Sequence, residues 1–283
     1  MTSEIRALRP RFHLDRLGQG GPAVLLLHGI PGSRHTFREV ATRMAAETRV
    51  FLPDLLGFGD SAPAPPGAHA EAHAESLLSL VDELELETLH LVGFDFGGPV
   101  SVALARRLGR RVRSLSVMAT NLFPDTPVPL PLRVAQVPLL GRLMFRLAFG
   151  RLGLEMMWRA ATGDRRAFPL DRFRRSLAPN SVRSTREIFY ASMRDLAGLY
   201  QPIYEAASAL ALPSVVLWGD RDPFFPVSVG QRSAELLGAE LRVLSGAGHF
   251  VPEERPDEVA NAVLELVHRV TPLAASARLV SEA

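Results

Sequence analysis

Eleven residues, Thr-Leu-His-Leu-Val-Gly-Phe-Asp-Phe-Gly-Gly at positions 88–98, restrict what this chain can fold into more than any other stretch. The first five alternate apolar and β-branched side chains and read as a buried strand ending at Val92. Gly93 and Gly97 then flank Asp95, each two positions away. Glycine accepts the backbone angles of a very sharp turn and leaves room for close packing, so the chain can pass abruptly from strand to helix here. Residues 99–108 (PVSVALARRL) predict that helix, with Pro99 near its first turn and Gly109 past its end. The pattern is the strand-turn-helix usually written G-x-S-x-G, and the place of the serine is taken by Asp95.

That replacement changes the chemistry. A serine must lose its proton before it attacks a carbonyl, whereas a carboxylate is already ionised at neutral pH. Towards amides and esters a carboxylate is a poor nucleophile, because the anhydride it forms reverts. Towards a saturated carbon it can displace a leaving group and become an alkyl ester. Water must then attack that ester, a step that still needs a base and donors for the developing oxyanion.

With 283 residues and 47% hydrophobic content, the chain can bury one large core, or a core plus a subdomain. Its cations are all arginine and its formal charge is only +2, with acids and bases interspersed, which gives no argument for nucleic acid. The absence of cysteine excludes disulfides and thiolate metal sites. The first residues (MTSEIRALRPRF) lack an apolar signal core, and no clean apolar run is long enough to span a bilayer. The expectation is a cytoplasmic monomer or homodimer.

In chain order, residues 11–17 and 23–27 read as strands joined by a glycine-rich turn. The second runs into His28-Gly29-Ile30-Pro31-Gly32-Ser33, where small residues let the backbone come close to a site and let Ile30 aim its N–H inward; a plain connecting loop is the alternative. Residues 33–47 predict a helix and 50–52 a strand, followed by a turn-rich loop from Pro53 to Ser61. His69 and His73, four apart, have metal-ligand spacing, but no carboxylate pattern accompanies them and a solvated helix end is the expectation. Residues 72–84 are a helix and 111–119 another buried strand. From 121 to about 210 no strand signal recurs. Strands resume at 213–218 and 240–244, and a helix closes the chain at 256–270.

Alternating strands and helices predict a mostly parallel sheet covered on both faces, with the helical block inserted after a strand and therefore lying over the active-site edge. The division is core 1–120, helical cap 121–209 and core 210–283. Asp222 (in Gly219-Asp-Arg-Asp-Pro-Phe-Phe-Pro226) and His249 (in Gly248-His249) each follow a strand, so nucleophile, acid and base occur in the order Asp95, Asp222, His249. Each motif alone is weak. Their common position at strand ends is what carries weight.

With these motifs the sequence resembles the α/β-hydrolase superfamily, and within it the aspartate-nucleophile branch of epoxide hydrolases and haloalkane dehalogenases. The resemblance covers nearly the whole chain outside the cap. It implies an Asp95–His249–Asp222 triad, with Asp222 rather than Asp220 as the acid. It implies oxyanion donors at the Ile30 and Phe96 amides, no cofactor or metal, and a small apolar substrate with water. The chain departs from many dehalogenases, which hold halide with a Trp after the nucleophile and an Asn after the His-Gly, or a second Trp in the cap. Here those two core positions are Phe96 and Ile30, and only Trp158 in the cap is available as a donor. No arginine follows the nucleophile directly, unlike in fluoroacetate dehalogenases, which disfavours a small acid.

Epoxide hydrolases use two cap tyrosines, or a His and a Tyr, to protonate the opening oxygen, and all three tyrosines here, Tyr190, Tyr200 and Tyr204, fall in the cap. Tyr190 is the preferred candidate from its distance before the strand leading to Asp222, while plain amphipathic packing is the alternative for each. The stretch 129–158 is apolar with spaced arginines. It is expected to line a hydrophobic pocket or pack the lid. A membrane-surface helix is disfavoured because these apolar residues are needed to cover the sheet edge. Epoxide hydrolysis is the first reading and dehalogenation the second. A degenerate site in a binding protein, lyase or cyclase is the alternative of another class.

Overall fold

The computed structural model describes residues 11–127 and 137–271. Seven strands form one sheet in the order β1-β3-β2-β4-β5-β6-β7. They are β1 (Leu14–Leu17), β2 (Ala23–Leu27), β3 (Arg49–Pro53), β4 (Leu89–Phe94), β5 (Val112–Met118), β6 (Ser214–Gly219) and β7 (Glu240–Leu244). Only β1 runs antiparallel to its neighbour; every other pairing is parallel. All residues of β2 and β4 are buried, as strands covered on both faces must be.

Alternation along these strands divides the core into two layers. Leu25, Leu27, Leu89 and Leu91 point to one face, where α2 (Ala70–Glu83), α3 (Gly97–Leu108) and α9 (Val227–Leu237) pack. Val24, Leu26, Val92 and Phe94 point to the other, covered by α1 (Arg38–Met44) and α11 (Pro256–Val270). The expected helix at 33–47 divides into a 3₁₀ turn, Arg34–Phe37, followed by α1.

Between β5 and β6 the described residues contain helices and loops but no strand: α4 (Pro138–Ala148), α5 (Arg151–Ala161), α6 (Leu170–Ser176), α7 (Pro179–Arg194) and α8 (Leu196–Ala209). The last of these buries Ile203, Ala206 and Ala207 in the same layer as α3 and α9. We propose on that ground that the cap proper is α4–α7 and that α8 belongs to the sheet layer. The short α10 (Val251–Glu254) joins the loop after β7 to α11. No helix among the described residues is long and apolar enough to cross a membrane.

Candidate active site

The turn after β4 is as sharp as its glycines suggest. Asp95 sits at φ 49°, a left-handed conformation unusual for a residue with a side chain. A Cβ on Gly93 would come 2.4 Å from the Gly97 carbonyl oxygen, and one on Gly97 would lie 2.0 Å from the Leu27 carbonyl oxygen. Both positions therefore require glycine. The strained turn is held from beneath: the Asp95 N–H donates to the Met118 carbonyl at 3.0 Å, and Thr120 Oγ1 donates to the Asp95 carbonyl at 2.6 Å.

The loop after β2 closes on Asp95. A Cβ on Gly29 would stand 2.5 Å from the Asp95 Cβ, so only glycine fits there. His28 pins this loop. Its Nδ1 donates to the Gly29 carbonyl at 2.8 Å and its Nε2 accepts from the Leu55 N–H at 3.0 Å. Burial holds it below the usual histidine range, which keeps it neutral for both bonds. The Ile30 N–H then donates to Asp95 Oδ1 at 2.7 Å. Phe96, the other oxyanion candidate, heads α3 with its side chain buried.

Asp222 follows β6 and is fixed by the Phe224 and Phe225 amides, which donate to its Oδ1 at 2.8 and 3.1 Å. Its Oδ2 lies 2.9 Å from His249 Nδ1. The neighbouring Asp220 instead accepts from the Gly246 N–H at 2.7 Å. His249 Nε2 stands 3.5 Å from Asp95 Oδ2. Phe94, Phe224, Phe225 and Phe250 surround its ring, and its backbone N–H donates to the Ala161 carbonyl at the end of α5. Burial works to lower its pKa, but the Asp222 and Asp95 carboxylates outweigh that and lift it to about 10. In the resting site at neutral pH His249 is therefore an imidazolium between two carboxylates.

The three candidate tyrosines part company. Tyr200 is buried; burial raises its pKa, and the Asp95 charge, close enough to be felt, adds to the rise, while Ser192 hydrogen-bonds the phenol. Tyr190 packs against the core layer that holds Phe94 and Phe250, edge-on to Phe145 and between the guanidinium groups of Arg142 and Arg194, each 5.5 Å from its ring centre. Tyr204 is partly exposed beside Phe123. Trp158 is buried and its indole N–H is spent on the Phe168 carbonyl at 3.1 Å, so it offers no free donor.

Sequence reasoning missed a second group. His69 and His73 are not on a solvated helix end but buried, with burial pulling their pKa down to about 4 and about 3. The His69 ring packs on Phe96 and Tyr200, and its Nε2 lies 3.0 Å from Ser192 Oγ. The signal was present in part: a histidine at the start of the α2 pattern, bounded by alanines, with few polar neighbours. Among the described residues no group of three or more His, Asp or Glu could hold a metal ion. A basin of about 540 Å³ opens elsewhere, lined by Arg159, Arg165, Arg166 and Arg221 among others, and Asp95 does not line it. The hydrophobic pocket expected from 129–158 falls partly outside the described residues.

The family model for the α/β hydrolase fold matches residues 22–256, and the chain belongs to that family. A 2-hydroxy-6-oxononadienedioate/2-hydroxy-6-oxononatrienedioate hydrolase of Paraburkholderia xenovorans is 29% identical over 91% of this chain and 90% of its own length. Haloalkane dehalogenase 2 of Mycobacterium bovis is 29% identical over 91% of both chains. The solved structure of the epoxide hydrolase CorEH superposes with a TM-score of 0.74, covering 92% of this chain and 95% of that one at 24% identity, and speaks for the fold. The protein is an α/β-fold hydrolase.

Proposed function

We propose that the protein opens an epoxide on an apolar substrate to a diol through an alkyl ester on Asp95. The observation that carries this reading is the division of labour between the two Asp95 oxygens. Oδ1 is held on the Ile30 N–H at 2.7 Å, while Oδ2 points to His249 Nε2 at 3.5 Å. Oδ2 attacks an epoxide carbon, the ring C–O bond breaks, and the Tyr200 phenol gives its proton to the departing oxygen. Oδ1 becomes the ester carbonyl oxygen, already seated on its donor.

Esterification removes the Asp95 charge, one of the two that keep His249 protonated. The imidazolium then gives up its proton, by way of solvent, to the Tyr200 phenolate. Neutral His249, oriented by Asp222, takes a proton from water as that water attacks the ester carbon. The oxyanion forms on Oδ1 against the Ile30 and Phe96 N–H groups. Collapse releases the diol, which takes its second proton from His249, and the proton left on the Asp95 carboxyl then passes to His249, restoring ionised Asp95 and the imidazolium.

Two features favour an epoxide over a haloalkane. A leaving halide needs side-chain donors, yet both indoles are committed, Trp158 to the Phe168 carbonyl and Trp218 to the Phe225 carbonyl. An opening epoxide needs a proton, and Tyr200 lies in the field of Asp95. The assembled Asp222–His249 pair also argues against a degenerate binding protein. The test is a trap. His249→Gln incubated with epoxides such as styrene oxide should accumulate an adduct on the peptide containing Asp95. A single turnover of the intact enzyme in heavy-oxygen water should label the Asp95 carboxylate and leave the product light. Label appearing in the product while Asp95 stays light would make Asp95 a general base and end the two-step reading. Halide release from haloalkanes without diol formation would move the assignment to dehalogenation.

A further inference from the structure

Nine large hydrophobic side chains stand exposed among the described residues, and six of them lie between positions 137 and 156: Val137, Leu140, Leu143, Leu147, Leu152 and Met156. Each is between 50% and 73% exposed. At about 100° per residue, Leu140, Leu143 and Leu147 form one stripe along α4, while Phe145 and Phe149 turn to the interior. Leu152 and Met156 repeat the arrangement on α5, whose buried side is Leu154, Trp158 and Ala161. These apolar residues therefore do not cover the sheet edge. The reason for disfavouring a membrane-surface helix in the sequence does not hold in the structure.

Charge indicates what meets this face. α4 and α5 carry Arg142, Arg146, Arg151 and Arg159, all exposed, against a single acid, Glu155. Glu155 is already shared by Arg174 and Arg151. Among the described residues none of Arg142, Arg146 and Arg159 forms an ion pair with a carboxylate. A second copy docked on this face by two-fold symmetry would set these guanidinium groups against one another with no acid to answer them. A surface that is apolar below and negative above accepts both the leucines and the arginines.

We propose that the α4–α5 hairpin of the cap is a peripheral docking surface for an anionic phospholipid bilayer, lying in the interface without crossing it. The leucine stripe enters the acyl boundary and the arginines contact phosphate. The cap is then the part of the molecule that meets the lipid in which apolar compounds partition.

Vesicle flotation tests this independently of any substrate. The wild-type chain should float with vesicles of phosphatidylcholine containing 30% phosphatidylglycerol, bind pure phosphatidylcholine much more weakly, and release as salt screens the arginines. Leu143→Asp with Leu147→Asp should weaken binding by at least about tenfold, since each leucine loses its apolar burial. Arg146→Gln with Arg159→Gln should cost about fivefold per arginine, and keeps the test sound if the first pair disturbs folding. Three results overturn the proposal: no flotation with anionic vesicles; binding unchanged in both double variants; or a wild-type dimer in light scattering that the leucine pair splits, which makes a second copy the occupant. Cover by residues 128–136 of the chain itself would register as the first of these.

Discussion

At the sheet edge every candidate catalytic side chain stands directly behind a strand: Asp95 after β4, Asp222 after β6, His249 after β7. In the cap, the side chains that matter lie mid-helix, and their role depends on which face turns inward. The first arrangement is fixed by a parallel sheet, which delivers all its C-terminal ends to one edge. The second is fixed only by packing between helices whose apolar residues are nearly interchangeable. Strand ends therefore place chemistry with little freedom. A cap can rotate a tyrosine from the site to the far side of the lid without changing its helical pattern.

Removing the proposed nucleophile separates the two regions most sharply. Asp95→Asn keeps the Oδ1 acceptor for the Ile30 N–H but removes the attacking carboxylate. Steady-state diol formation should fall by roughly 10⁴-fold or more, with the melting temperature little changed. Activity within about tenfold of wild type would mean that the bond-forming group is elsewhere.

Among the helices between β5 and β6 the contrast becomes Tyr200 against Tyr190. Tyr200→Phe should slow adduct formation from an epoxide by about 10² to 10⁴-fold, the range for a lost general acid, while leaving hydrolysis of the trapped ester unchanged. Tyr190→Phe, between Arg142 and Arg194, should leave both steps near wild type. Rapid-quench measurement of the two steps decides it, and a reversed pattern would return the role to Tyr190.

What the sequence made legible follows the same line. Gly93, Gly97, Asp222 and His249 could be read because each answers a backbone or positional requirement that leaves its mark in spacing. Bounds of β7 and α11 matched expectation because turn residues and Pro256 punctuate them. The choice among Tyr190, Tyr200 and Tyr204 was not legible because separation along the chain carries no information on helix rotation. His69 and His73 were read as solvated because polarity was taken for exposure; their burial comes from Phe58, Phe96 and Tyr200, brought in from elsewhere in the chain. The outward turn of Leu140, Leu143, Leu147, Leu152 and Met156 was not legible because apolar periodicity does not say which side has a partner.

In the proposed two-step reaction the His249 titration should itself change between the stages. Its pKa of about 10 rests on both Asp222 and Asp95. Once Asp95 is an ester, only Asp222 supports the imidazolium against burial, so the pKa falls. The rate of ester hydrolysis should therefore level off at a pH below the free-enzyme titration of His249, read by ¹⁵N resonance. Equal values in the two states would mean that Asp95 does not control the base.

The smallest expected effect tests the seam between the regions. Glu253 is buried against the Gly29–Gly32 loop of the core and against Phe173 and Ser176 of the cap. Burial raises its pKa to about 8, only partly opposed by Arg172 and Thr36, and its Oε2 has no hydrogen-bond partner. The folded chain thus keeps a proton that the unfolded chain releases above the ordinary carboxyl value of 4.5. Because the folded state binds more protons in that window, stability falls as pH rises from about 4.5 to about 8, and the penalty persists above. The buried histidines His69, His73 and His90 act in the opposite sense up to their ordinary 6.5, so the wild-type profile alone does not isolate Glu253. The difference between Glu253→Gln and wild type does. Glutamine matches the neutral acid in shape and cannot ionise, so the two should melt alike near pH 4. The variant should melt progressively higher than wild type as pH rises to 8. Parallel melting curves across that range would show that Glu253 ionises freely and that the seam is open to water.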